Sequence, residues 1–321
     1  MWKDTMAKIR LLKERDNWKL KIMILIPILL VLWLGLNFRQ LYSAWAVRSE
    51  TKRLVDLAAS APDEFQNPPP AEDRFEGKLS PDFWKFAIIN GGGKTSNETA
   101  WHSAAMAIDH SLTLQHFPDP SFKDESPKWR KPAAEQYNNV AFIGGRGFRP
   151  SASRDVVLNF SAQVDENFYG TAGVVFQPVG TLHTEGWIAK PFDMFGFSVA
   201  GKESSITGVN GPICYLAINW IPAQVKPLQV DSRSLHNYEI RLRWISRTEW
   251  LGSLKVDGAT QCEIRMPPFG PVEVHVWSDN IRVLYWPRRW WEIGPSMDLK
   301  FQDGGEKQFS LGMIQIFEET R

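Results

Sequence analysis

Hydrophobic and polar positions alternate along much of this chain. In "YEIRLRW" (238–244) Ile240, Leu242 and Trp244 alternate with Glu239, Arg241 and Arg243, and in "SLKVDG" (253–258) Leu254 and Val256 alternate with Lys255 and Asp257. In "VEVHVW" (272–277) Val272, Val274 and Val276 alternate with Glu273, His275 and Trp277. A period of two is that of a strand with one face buried and the other free to be polar. Shorter apolar runs, among them "DVVLNFSAQV", "TAGVVFQPV", "FGFSVAG", "CYLAINWI" and "LGMIQIF", are separated by Gly, Pro, Asn and Asp clusters. That spacing predicts an all-β, two-sheet antiparallel β-sandwich, a jelly roll, over residues 73–321. "KVDG" predicts a tight hairpin, because Asp-Gly accepts the positive φ such a turn requires. The tail "KQFSLGMIQIFEETR" reads as a closing strand that returns beside the first. No repeat with a period of 20 to 50 residues is visible, which argues against a propeller or solenoid.

The first seventy residues follow a different pattern. Residues 22–38, "IMILIPILLVLWLGLNF", carry no charge and approach the ~17 to 25 residues that cross a bilayer, which predicts a transmembrane helix. Seven Lys or Arg precede this run (Lys3, Lys8, Arg10, Lys13, Arg15, Lys19, Lys21) and four follow it in a comparable window (Arg39, Arg48, Lys52, Arg53). The bias predicts a cytoplasmic basic segment at 1–21 and a single-pass cell-membrane protein with its C-terminal domain extracytoplasmic. A cleaved signal peptide is the rival reading, since "AWA" at 44–46 has the small-x-small form. The long apolar run and the intrusion of Arg39 favour an uncleaved anchor. Residues 39–61 read as a helical stalk, and the Pro-rich stretch 62–72 reads as a linker.

Charge and composition narrow the partners. Lys and Arg total 37 against 36 Asp and Glu, so no overall field attracts nucleic acid. The 15 Trp serve equally as core, membrane interface or sugar platform until each is placed. Cys214 and Cys262 both fall in strand-like runs; they read first as two buried thiols, with a disulfide open to them in an oxidising compartment.

"RFEGKLSPDFWKF" (74–86), "YGTAGVVF" (169–176) and the succession "YEIRLRWI", "LKVDG", "GPVEVHVWSDN" resemble the concanavalin A-like lectin/glucanase superfamily, in particular its laminarinase-like members. The resemblance spans about residues 74–320 and implies a sandwich that binds a polysaccharide or other glycan. It also implies where catalysis would sit. Family 16 glycoside hydrolases carry Glu-x-Asp-x-x-Glu on one strand, which sets two carboxylates the ~5 to 5.5 Å apart that retaining chemistry needs. No Glu of this domain has an Asp two residues on, so the usual machinery is missing. Glu185 with Asp193, or Glu273 with Asp279, are the substitutes left to a divergent hydrolase. There is no G-x-S-x-G, no H-E-x-x-H and no complete phosphate loop.

Two places remain as candidate glycan contacts. If the three alternating strands pair as a meander, Arg241, Arg243, Glu273, His275 and Trp277 form one continuous polar face. Such a face is either a sugar groove or a solvent-facing salt ladder. Just downstream, "IRVLYWPRRWWEIG" crowds Tyr285, Trp286, Trp290 and Trp291 around a proline and two arginines, as exposed stacking rings, a local core or a membrane contact. A protein-binding envelope domain is the remaining alternative. No cofactor is expected: lectins of this fold often use calcium, but no dense Asp/Asn loop is present.

Overall fold

The structure is a computed structural model, and it describes residues 2–61, 65–89, 94–95, 105–108, 110–116, 140–180, 193–202, 204–219, 221–279, 281–284, 298–299 and 307–321. After one helix, α1 (Trp2–Ser60), the chain is built of strands. In chain order the first are β1 (Ala71–Asp73), β2 (Trp84–Ile89), β3 (Lys94–Thr95), β4 (Ala105–Ile108), β5 (Ser111–His116), β6 (Val140–Phe148) and β7 (Arg154–Val164). There follow β8 (Thr171–Pro178), β9 (Met194–Ala200), β10 (Ser205–Ile206), β11 (Gly211–Ile218), β12 (Ile221–Pro227) and β13 (His236–Ser246). The last are β14 (Glu249–Val256), β15 (Ala259–Met266), β16 (Val272–Asp279), β17 (Ile281–Leu284), β18 (Asp298–Leu299) and β19 (Lys307–Thr320).

Sixteen of these strands form two antiparallel sheets packed as a sandwich, and β10, β17 and β18 make a separate small sheet in which β10 and β17 run parallel. Sheet I runs β15-β14-β13-β7-β19-β5-β4 with β1 on β19, and sheet II runs β12-β11-β9-β8-β16-β6-β2-β3. The arrangement is consistent with a jelly roll, and β19 does return to pair with the first strand, Ala71 opposite Ile316. The expected hairpin is present: Asp257 (φ 50°) and Gly258 (φ 80°) alone join β14 to β15.

The core lies between the sheets. Val272, Val274 and Val276 of β16, Val174 and Phe176 of β8, and Phe195 and Phe197 of β9 face Val156, Leu158 and Phe160 of β7 and Ile240 and Leu242 of β13. Phe160 and Tyr238 stack at 5.1 Å between ring centroids, and Phe197 meets Tyr238 at 4.4 Å. Cys214 on β11 and Cys262 on β15 are joined by a disulfide, with Cα atoms 6.4 Å apart. The two buried thiols expected first are therefore a covalent tie between the sheets.

The chain divides into two compact units, one containing the helix to residue 45, the other the helix from Ala46 together with the sandwich. In the second unit Ala46, Glu50, Leu54 and Ala58 are buried at four-residue intervals, one stripe of a helix. Leu54 joins the main core. The Pro-rich stretch is tied down as well. Asn67 bonds both the backbone N and O of Arg149, and Asp73 accepts from the Phe75 and Ser80 amides and from Trp84 Nε1, each at 2.7 Å.

Among the described residues no helix is long and apolar enough to cross a membrane. The expected span at 22–38 is described in part, the side chains of 22–24, 32, 34–36 and 38 lying outside the described residues. The expected transmembrane helix is thus not a finding of the structure.

Candidate functional site

The continuous polar face expected from three alternating strands does not form. β13, β14 and β15 pair in order within sheet I, but β16 belongs to sheet II, between β8 and β6. The cause lies between them, where Pro267, Pro268 and Pro271 cannot donate to a ladder and Gly270 turns at φ 81°, so the chain leaves one sheet and crosses to the other. Arg241 and Arg243 therefore stand on the outer side of one sheet, and Glu273, His275 and Trp277 on the outer side of the opposite one.

Nor is that second row an open surface. Glu273 is 0% exposed, His275 7% and Trp277 8%. Glu273 Oε1 accepts from Gln177 Nε2 at 3.1 Å and from the Gly180 amide at 3.2 Å, and Oε2 lies 3.2 Å from Arg146 Nε. The Trp277 ring lies down on the neighbouring strand, over Gly173, where a Cβ would sit 2.3 Å from its Cη2. Its Nε1 reaches Thr171 Oγ1 at 3.4 Å, and the His275 ring is 5.2 Å away. A recumbent indole is not a stacking platform for a ligand. Trp277 joins Val175, Met194, Ile213 and Tyr215 in a second apolar cluster on this outer side. Burial pushes the His275 pKa down to about 3, so the imidazole is neutral at physiological pH and does not titrate as an acid or base there.

The carboxylates do not make a hydrolytic pair among the described residues. Glu273 and Asp279 share a face of one strand six residues apart, roughly 20 Å along it, beyond even the ~9.5 Å limit for inverting chemistry. Asp193 has the parity of Phe195 and Phe197, on the inter-sheet side, and its intended partner Glu185 lies outside the described residues. Tyr285, Trp286, Trp290 and Trp291 also lie outside them.

Asp193 is engaged elsewhere. Its Oδ1 accepts from the Asn219 amide at 2.8 Å, and it meets Glu50 of α1, itself held by Arg53 through Nε at 2.9 and 2.8 Å. Burial raises the Asp193 pKa to about 7, the Glu50 charge adding to the rise and the Asn219 amide and Arg53 opposing it.

The outer side of sheet I carries the other predicted residues, and there the charges are paired. Asp155, buried on β7, accepts from Arg241 Nη1 at 3.3 Å, Arg243 Nε at 3.1 Å and Arg321 Nε at 2.6 Å. Burial pushes its carboxyl up, but Arg321 and Arg243 outweigh that and hold it below the usual carboxylate range. Arg241 also bonds Glu239 at 3.0 Å and Glu319, and Lys255 reaches Glu239 at 3.0 Å.

Within this ladder lies a depression of about 230 Å³ lined by Arg241, Arg243, Leu251, Ser253, Lys255, Thr260 and Glu263. Register explains it. Ser253 of β14 stands between Arg241 of β13 and Glu263 of β15, a short side chain between two long ones, so the floor drops. Sequence reasoning reached Arg241, Arg243 and Lys255 but missed Leu251, Ser253, Thr260 and Glu263. The signal was the same alternation, extended along β14 and carried across the Asp-Gly hairpin. Among the described residues no cluster of His, Cys, Asp and Glu is arranged to hold a metal ion.

Fold and sites together define an antiparallel two-sheet sandwich with one buried outer face and one grooved, charge-paired outer face. No protein-family model and no curated protein matches the chain. Solved structures do resemble it. They include a beta-glucanase of Bacillus licheniformis at 13% identity over 78% of this chain and 99% of that chain, TM-score 0.45. A laminarinase from Flavobacterium sp. UMI-01 aligns at 13% identity over 77% of this chain and 98% of that chain, TM-score 0.46. The kappa-carrageenase of Pseudoalteromonas carrageenovora, in complex with an oligotetrasaccharide of kappa-carrageenan, aligns at 11% identity over 81% and 100%, TM-score 0.48. At these identities and scores the likenesses assign this chain no activity.

Proposed function

We propose that this chain is a membrane-tethered, extracytoplasmic sandwich of the concanavalin A-like kind that binds a polysaccharide or glycan without cleaving it. The observation that carries the reading is the trough over β14, a polar-walled depression with an apolar end at Leu251, on a face held rigid by the Asp155 network. Binding sites of this sort place a few fixed polar groups around a shaped floor. The tether is supported by the charge bias around residues 22–38 and by the exposure of Leu25, Ile26, Ile28, Leu29, Leu30, Val31 and Trp33. Apolar side chains exposed around a helix need a lipid or protein cover. A disulfide between the sheets supports an oxidising compartment outside the cytoplasm.

A divergent glycoside hydrolase is the second reading, and one observation favours it: Glu273 is a fully buried carboxylate fixed at both oxygens, as one member of a catalytic pair would be. The two readings separate in one experiment. The full chain in lipid nanodiscs is applied to a glycan array, and the glycans it retains are assayed for newly released reducing ends. Retention without release supports the binding reading, release establishes hydrolysis, and failure to retain any glycan removes the proposal. Protease added to intact cells should digest residues 73–321; protection of that domain would contradict the topology.

A further inference from the structure

The trough over β14 has an asymmetry that the ladder around it lacks. On the β13 wall, Arg243 is 44% exposed and commits only Nε, to Asp155. Its two Nη nitrogens have no partner among the described residues. On the β15 wall Glu263 is exposed, and its backbone carbonyl takes Lys226 Nζ at 2.6 Å, but its carboxylate has no partner among the described residues. Between them the floor is Ser253 and Leu251, with Thr260 and Lys255 closing one end. Uncommitted donors thus stand diagonally from an uncommitted acceptor, two strands over and two residues along, about 12 Å between backbones.

Charge decides what fits. The four cations Arg241, Arg243, Lys255 and Arg321 are matched in number by the four carboxylates Asp155, Glu239, Glu319 and Glu263, with Lys226 on the Glu263 carbonyl as a further cation at the rim. An anionic ligand would meet the unpaired Glu263 at close range, where like charges repel. A hydroxyl both donates and accepts, so adjacent hydroxyls of a neutral sugar can bond an arginine on one side and a carboxylate on the other. At about 230 Å³ the space falls below the ~300 Å³ of sites that enclose drug-sized ligands, and suits one ring more than a chain.

We propose that this trough is a subsite for a single neutral hexose unit, with Arg243 donating to its hydroxyls, Glu263 accepting from them, Leu251 under the ring and Glu263 excluding uronic and sulfated sugars. The inference rests on the glycan-binding reading and deepens it by naming site and ligand class.

The test is calorimetric titration of the full chain in nanodiscs with laminarihexaose and cellohexaose as neutral probes and an oligogalacturonate as the anionic one. The wild-type protein is expected to bind at least one neutral probe and not the oligogalacturonate. Arg243→Ala should weaken neutral binding about tenfold, the size expected for losing charge-assisted hydrogen bonds. Glu263→Gln should admit the oligogalacturonate. Unchanged thermal melting will show that both variants are folded. Neutral binding that neither variant alters, or tighter binding of the anionic probe by the wild type, overturns the inference and leaves glycan binding standing. Binding of no probe overturns both.

Discussion

Replacing His275 by Gln should tilt a stability profile that is otherwise level between about pH 4 and pH 6.5. A histidine in water titrates near 6.5, whereas burial holds His275 at about 3. The folded pKa is the lower, so the unfolded chain takes the proton first. Stability therefore falls as pH drops below about 6.5, by about 1.4 kcal/mol per pH unit and roughly 2 kcal/mol by pH 5. Asp193 acts with the opposite sign. Its folded pKa is raised to about 7, so the unfolded chain gives up the proton from about pH 4 while the folded one keeps it, and stability falls as pH rises. Over about pH 4 to 6.5 the two slopes are of like size and cancel. Asp155 and Glu239, both held below their usual range, lower stability only below about pH 4 and about pH 4.5 respectively, at the bottom edge of this window. In His275→Gln only the Asp193 slope remains, and stability should fall by about 3 kcal/mol from pH 4 to 6.5. In Asp193→Asn it should rise by about as much. Urea midpoints followed by tryptophan fluorescence, on the full chain in detergent at half-unit pH steps, measure this. A His275→Gln profile as level as the wild type would refute the neutral, enclosed imidazole.

Three further outcomes are expected. Cys214→Ala with Cys262→Ala should lower stability by about 4 kcal/mol, the chain-entropy value for a closed loop of 48 residues, measured as a drop in urea midpoint under oxidising conditions. Gly173→Ala should cost roughly 1 to 3 kcal/mol, because its Cβ would meet Trp277 Cη2 at 2.3 Å and the Phe197 carbonyl at 2.7 Å; a melting temperature equal to wild type would show the ring is free to lift. Asp155→Ala should cost about 1.5 to 3 kcal/mol, the size of charge-assisted hydrogen bonds lost from partly exposed arginines of which Arg241 keeps Glu239 and Glu319; a change within a few tenths would show that the ladder adds nothing to stability.

The faces of the strands were legible in the sequence, and their sheet was not. Alternation tells which side of a strand is apolar, and Val272, Val274, Val276, Ile240, Leu242 and Leu254 all enter the core as expected. It does not tell which strand lies alongside: the meander that would set β16 next to β14 is only one pairing the alternation allows, and Pro267-Pro268 and Gly270-Pro271 mark the crossing that prevents it. Period two also cannot separate a polar face that meets water from one that is covered. Glu273 and His275 looked exposed because such residues usually are, while the structure buries them beside Trp277. The Asp-Gly hairpin was legible because its chemistry is local. The disulfide was not, because the pairing of Cys214 with Cys262 depends on two strands in different sheets meeting across the core.

The proposed site holds sugar on the outer side of sheet I, not on the outer side of β16. A crystal structure of the protein soaked with a neutral hexasaccharide tests this directly. Ring density over Ser253 and Leu251, within hydrogen-bond reach of Arg243 and Glu263, is the expected result. Density beside Glu273 and Trp277 with the trough left empty would contradict it.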